Sequence, residues 1–135
     1  MASGRPWGRL TRRSEFLRVA ASRRRCATPG LILQVVQSPS IEPQSLFRLG
    51  FTASRKVGGA VTRNRARRRL RAAAAAVMAA HAACGMDYVL VARAETATRP
   101  FQSLLQDLET ALRRLRMWRC NGEAGAHDVV AKAEK

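Results

Sequence analysis

The sequence predicts a single mixed α+β domain, on three observations. Stretches 31–36, 46–54 and 87–93 are β-branched or alternate apolar with polar residues, as strands do. Stretches 14–21, 62–84 and 99–118 repeat apolar residues at helical spacing. A chain of 135 residues has room for one modest core.

In chain order, residues 1–8 read as a flexible arm, 9–119 as the domain and 120–135 as a disordered tail of small and polar residues. Helix 14–21 has Ser14 as its expected N-cap, with Phe16, Leu17 and Val19 giving a partial apolar face. Two prolines and three serines make 38–45 a loop. Phe47, Leu49, Phe51 and Ala53 then alternate with Leu46, Arg48, Gly50 and Thr52. Along 62–84, Ala66, Leu70, Ala73, Val77 and Cys84 fall on one narrow arc, and Gly85 is the expected helix stop. His81 lies at the edge of that arc, packed or solvated. The two strands on either side of this helix form a β-α-β unit compatible with parallel pairing. Pro100 suits the first turn of the last helix, whose stripe of Phe101, Leu104, Leu105, Leu108, Leu112 and Leu115 is core.

The charge is far from ordinary. Twenty-five basic and nine acidic residues give a formal net charge of +16, which calls for a polyanionic partner, nucleic acid before membrane surface. No apolar run reaches the roughly 18–20 residues of a membrane span. Three cysteines, widely spaced and without a CxxC, offer no disulfide framework or metal site and fit a reducing cytoplasm. The acids are scattered, with no repeated carboxylate motif that could hold catalytic metal ions, and Asp107 and Glu109, two apart on a helix, point to different faces. The protein is therefore expected to lack a catalytic centre of its own.

The basic residues concentrate in 55–71, RKVGGAVTRNRARRRLR, where eight of seventeen residues are Arg or Lys and none is acidic. A glycine-containing lead-in, a helix N-terminus and fixed guanidiniums together favour phosphate. Positive charge in a first helical turn also opposes the helix dipole, a cost that a bound polyanion offsets.

Residues 50–71, GFTASRKVGGAVTRNRARRRLR, closely resemble the signature of the bacterial ribonuclease P protein component family. Gly50, Thr52, Ser54, Lys56, Gly58, Arg63, Asn64, Arg65, Arg68, Leu70 and Arg71 fall in register with it, and the resemblance runs from about Arg9 to about Met117. It implies the element order α-β-β-β-α-β-α, with a short strand around 25–28 completing a four-stranded, ribosomal-protein-like sheet, and a left-handed β-α-β crossover. It implies a subunit that binds the ribonuclease P RNA and the 5′ leader of precursor tRNA, one protein per RNA, in the cytoplasm, with catalytic Mg²⁺ held by the RNA. By position, Lys56, Arg63, Asn64, Arg65, Arg67, Arg68 and Arg71 would bind RNA. Arg12 and Arg13, with Arg9 and Arg23 to Arg25, would add phosphate contacts. Phe16 would face the leader in a cleft, where Ala20 and Gln34 stand at positions usually aromatic in the family. Gly59 stands where the family often has Asn, and Ala66 where Ile or Val is commoner. A structural RNA-binding protein of the ribosome is the alternative with similar charge and fold; the full Arg-Asn-Arg context favours ribonuclease P.

Overall fold

A computed structural model describes residues 7–39 and 47–118. The expected tail 120–135 and most of the 38–45 loop lie outside the described residues. Among the described residues, five strands and three helices follow one another as β1 (Gly8–Arg9), α1 (Arg13–Ala21), β2 (Arg25–Thr28), β3 (Leu31–Gln37), β4 (Arg48–Thr52), α2 (Ala60–His81), β5 (Met86–Ala92) and α3 (Phe101–Arg114). A 3₁₀ turn, Arg55–Val57, leads into α2.

The sheet order is β1-β4-β5-β3-β2. β5 lies between β4, with which it runs parallel, and β3, with which it runs antiparallel. The sheet thus has five strands, not four. The extra one straddles the expected boundary between arm and domain: Trp7 is 7% exposed, Gly8 pairs with Arg48 and Arg9 with Leu49. Two residues cannot be read as a strand from their pattern; the Gly8 and Leu10 N–H groups donating to the Phe47 and Leu49 carbonyls make them one.

Strand alternation divides the apolar residues between two layers. Leu31, Leu33, Val35, Leu49, Tyr88 and Leu90 join Ala66, Leu70, Ala73, Ala74 and Met78 of α2 and Leu104, Leu108, Ala111 and Leu112 of α3 in the main core. On the opposite face Val89 packs with Leu10 and Val19 beneath α1. The small residues of α2 let it lie close on the sheet, and Tyr88, fully buried, donates its hydroxyl to the Ala83 carbonyl at 2.8 Å.

The hand of the β4-α2-β5 crossover follows from stereochemistry. The Leu49 side chain joins the core on the α2 face while its carbonyl accepts from β1. For an L-residue whose strand runs upward and whose side chain faces the viewer, N–H and C=O point right. β1 is then on the right and β5 on the left. The chain passes in front through α2 and turns left-handed, against the usual rule.

Several helix ends differ from expectation, each for a local reason. α1 begins at Arg13 with Arg12, not Ser14, at its N-cap. Glu15 Oε1 accepts from the Thr11 and Arg12 N–H groups at 2.9 Å each, satisfying donors from the acidic side of a capping box. α2 begins two residues earlier than expected, and stops at His81 because Ala82 turns extended and Ala83 N–H donates to Met117 O at 2.8 Å. Cys84 therefore lies outside the helix, and Gly85, at φ 80°, serves the turn into β5. α3 stops at Arg114, short of Trp118, in a Schellman arrangement. Arg116 takes the left-handed conformation (φ 62°), its N–H bonds Arg113 O, and Met117 N–H bonds Leu112 O at 2.7 Å. Phe101, 38% exposed, is not part of the core stripe, and Leu105 and Leu115 are half-buried. His81 is packed, its ring stacked on Trp118 with centroids 4.1 Å apart.

Candidate nucleic-acid interface

The lead-in to α2 is built from Ser54 to Gly59. Ser54 Oγ accepts from Lys56 N–H at 3.3 Å and so caps the 3₁₀ turn. Gly58 takes φ 145°, where a side chain is strained, and a Cβ there would come within 3.0 Å of Thr62. Gly59, at the N-cap, has φ −73° and open space around its Cα. Only Gly58 is required by the backbone. α2 then starts with no side-chain cap and no acid in its first turn, so its N-terminal dipole and its arginines add to one positive field.

The arginines of α2 are not alike. Ala66 and Leu70 are buried, and that side of the helix faces the core. Arg65, Arg68 and Arg71 are exposed, as are Arg55 and Lys56 before the helix. Arg63 is half-buried, and its Nε has no hydrogen-bond partner. Arg67 Nη2 donates to Asn64 Oδ1 at 2.7 Å, so Asn64 orients a guanidinium. Arg71 rests 5.3 Å from the centre of the Phe51 ring. Arg69 turns the other way: its guanidinium donates to the Thr96 and Arg99 carbonyls at 2.5 Å each and holds the turn before α3.

The second face is organised by an acid. Asp87, fully buried, receives a bidentate pair from Arg48 (2.9 and 2.7 Å) and a further hydrogen bond from Arg18. Arg48 also reaches Glu15 Oε2 at 3.1 Å, and Arg18 donates to Gln37 O at 3.2 Å. Burial alone would raise the Asp87 pKa, but the Arg48 and Arg18 guanidiniums more than offset it, and the carboxyl lies below its ordinary value. Glu15 is lowered too, chiefly by the hydrogen bond from the Arg12 backbone, while Arg48 is raised, chiefly by its hydrogen bonds to Asp87. This network pins α1 across β3, β4 and β5.

Beside α1 the sheet is only partly covered. Phe16 lies directly on Gly50, where an added Cβ would be 2.4 Å from its ring. Ala20, one turn further, is exposed, and Gln34 is half-buried on β3, opposite Arg25 and Val89. One step along the same face, Thr52, Val91 and Ile32 stand side by side in register, all half-buried. Of the expected cleft residues, Gln34 shares this face of the sheet, Phe16 packs on it and Ala20 stands on α1 above it. Sequence reasoning missed this half-buried row, although the parity shared with Gln34 and Gly50 was available to find it.

Of the other expected contacts, Arg9, Arg12, Arg13, Arg23, Arg24 and Arg25 are all exposed. Arg24 Nη2 donates to Leu115 O at 2.8 Å, so part of its donor capacity goes to the end of α3. Sequence reasoning also missed the roles of Arg48, Arg18, Arg69 and Asp87. The only signal was Asp87 heading an otherwise apolar strand, on the parity of Val89 and Val91.

Among the described residues, the carboxylates are not gathered into a cluster of the kind that holds a metal ion. Glu15 and Asp87 serve Arg48 and Arg18, and Asp107 Oδ2 receives Arg99 Nε at 2.5 Å. Asp107 and Glu109 do face different ways, Glu109 pairing with Arg113 at 3.1 Å.

Residues 7–116 match the family model for Ribonuclease P. The ribonuclease P protein component of Paramagnetospirillum magneticum is 51% identical over 124 residues, covering 91% of this chain and 93% of that protein. That of Ruegeria pomeroyi is 48% identical over 107 residues, covering 78% and 84%. The fold is shared with the solved RNase P proteins of Staphylococcus aureus (TM-score 0.68, 22% identity, 82% and 97% covered) and Thermotoga maritima (0.63, 22%, 76% and 92%). By its sequence, over nearly the whole described domain, this chain belongs to the ribonuclease P protein family.

Proposed function

We propose that the chain is the subunit that binds the ribonuclease P RNA and the 5′ leader of precursor tRNA, with Mg²⁺ and the cleavage chemistry supplied by the RNA. One observation carries this reading. α2 presents exposed Arg65, Arg68 and Arg71 beside its uncapped N-terminus, with no acid in the helix to neutralise them. Such a surface is stable against phosphates and unfavourable without them. The described carboxylates, each paired with an arginine, support leaving metal-ion chemistry to the RNA. The protein lowers repulsion between two polyanions and fixes their register through phosphate contacts. Phe16 and Gln34 belong to the α1 face of the sheet, opposite α2, which supports a leader held there while α2 holds the RNA subunit. A stoichiometry of one protein per RNA, acting in the cytoplasm, completes the reading.

Reconstitution tests it. RNA-free protein with Mg²⁺ should leave precursor tRNA intact, and adding the RNA subunit should restore cleavage that leaves a 5′-phosphate on the mature tRNA. Binding should favour precursor over mature tRNA. Leader removal by protein free of RNA, or equal affinity for both tRNA forms, would overturn this division of labour.

A further inference from the structure

Two helices of this chain end on an arginine where glycine is the usual choice. α1 is capped by Ser22, and the next residue, Arg23, takes the left-handed conformation (φ 67°). α3 is capped by Leu115, and Arg116 follows in the same conformation (φ 62°). Among the described residues these are the only non-glycine positions with positive φ. A side chain there meets a steric cost that glycine avoids, and such conformations gather where function keeps the residue. The helix dipole does not account for the choice. It favours positive charge within the last turn, where Arg18, Arg113 and Arg114 already supply it. It gives no reason to place a further arginine on the one residue whose backbone penalises a Cβ.

The fold brings both helix ends to one corner. Arg24 Nη2 donates to the Leu115 carbonyl at 2.8 Å, tying the segment after α1 to the end of α3. Arg23, Arg24, Arg114 and Arg116 are all exposed there. Among the described residues, Arg23 and Arg114 have no carboxylate partner. The corner is remote from the start of α2: Ala83, whose N–H bonds Met117 O beside Arg116, lies roughly 20 Å along the helix direction from Arg68. It also lacks a large apolar anchor. The exposed large hydrophobics of the described residues are Leu17 on α1 and Val61 and Phe101 in the first turns of α2 and α3. A membrane surface takes apolar side chains beside the charge, whereas an RNA backbone needs only the guanidiniums.

We propose that this corner is a second docking surface for RNA, holding phosphates of a segment of the RNA subunit other than the one on α2. α3 lies on the same face of the sheet as α2, so RNA leaving α2 can continue to the corner, while the leader is assigned to the α1 face. This inference rests on the RNA-binding reading above. It goes beyond that reading in making the subunit bivalent, with arginine kept at two glycine positions for the second grip.

Glycine variants of the full-length protein separate strain from binding. Arg23→Gly and Arg116→Gly should each raise the thermal midpoint by about 2 °C, because the left-handed Cβ is gone. Each should also weaken binding of the RNA subunit several-fold and reduce the magnitude of the log–log salt slope by about one or slightly less. Arg116→Lys, which keeps the charge, should keep the slope. In hydroxyl-radical cleavage of the RNA subunit, the double glycine variant should lose protection in a segment that Arg68→Ala still protects. A lowered midpoint, unchanged affinity and slope, or loss of the same RNA segment in both variants would overturn the second surface. So would lost protection confined to precursor tRNA, or lost binding to vesicles of anionic lipid with RNA binding intact, since either assigns the corner to another occupant. An effect of Arg68→Ala with none from the glycine variants overturns the corner alone. No effect from any of them overturns the α2 reading as well.

Discussion

Arg48 and Arg68 are the same residue type in a chain of net charge +16, yet they do opposite work. Arg48 is held by Asp87 and Glu15, and with Arg18 it fastens α1 to the sheet. Arg69 is likewise committed, to two backbone carbonyls before α3. Arg65 and Arg68, four and one residues before Arg69 on the same helix, are exposed on its outer side. Composition counts these arginines together. The fold divides them into a set neutralised from within and a set left exposed to solvent. Burial makes the difference: a guanidinium removed from water must find acceptors, whereas an exposed one keeps its hydration until something better arrives.

The sharpest way to break the comparison is Asp87→Asn. It would leave two arginines facing a neutral group, and breaking such a buried pair costs about 3–5 kcal/mol. Urea unfolding should show that loss, with the salt dependence of RNA binding unchanged. The same site gives a pH dependence. Asp87 and Glu15 are both depressed in the folded state, so their stabilisation is present above the unfolded carboxylate pKa and is lost as pH falls through the folded values. Acid unfolding should therefore set in below the ordinary carboxylate range, and Asp87→Asn should flatten it.

Arg69→Ala should cost about 2 kcal/mol, on the scale of hydrogen bonds to charged groups. It too should leave the salt slope of RNA binding alone. A slope change without a stability change would move Arg69 into the other set.

Arg65→Ala or Arg68→Ala should do the reverse. Each should reduce the magnitude of the log–log salt slope by about one or slightly less, with unfolding free energy within about 0.5 kcal/mol of the parent. A collapse in stability would show that these arginines belong with Arg48.

The smallest effect sharpens the comparison at the start of α2. Gly59 has an extended backbone and empty space about its Cα, so Gly59→Asn should add a helix cap and stabilise by a few tenths of a kcal/mol in thermal unfolding. Gly58→Asn, at φ 145°, should destabilise instead.

Much of this protein was legible without coordinates, because the physics there is local. Helical repeats around Leu70 and Leu108, alternation along β3 and the run of basic residues around Arg63–Arg71 are set by residue type and spacing. So is the placement of the arginines Arg63 to Arg71 on one helix. What the sequence could not determine was long-range. β1 exists only because Gly8 and Leu10 find the carbonyls of β4. α2 ends among alanines, the best helix formers, because Ala83 pairs with Met117. α3 ends on an arginine in the left-handed conformation that a glycine would take more cheaply. The roles of individual arginines were likewise hidden, since Arg48 and Asp87 are 39 residues apart and meet only across paired parallel strands. Local pattern determined which residues would be helix, strand and basic surface. Only the tertiary structure decided which charges would be spent inside the fold and which would be left exposed, because that choice depends on which acceptors distant segments bring within reach.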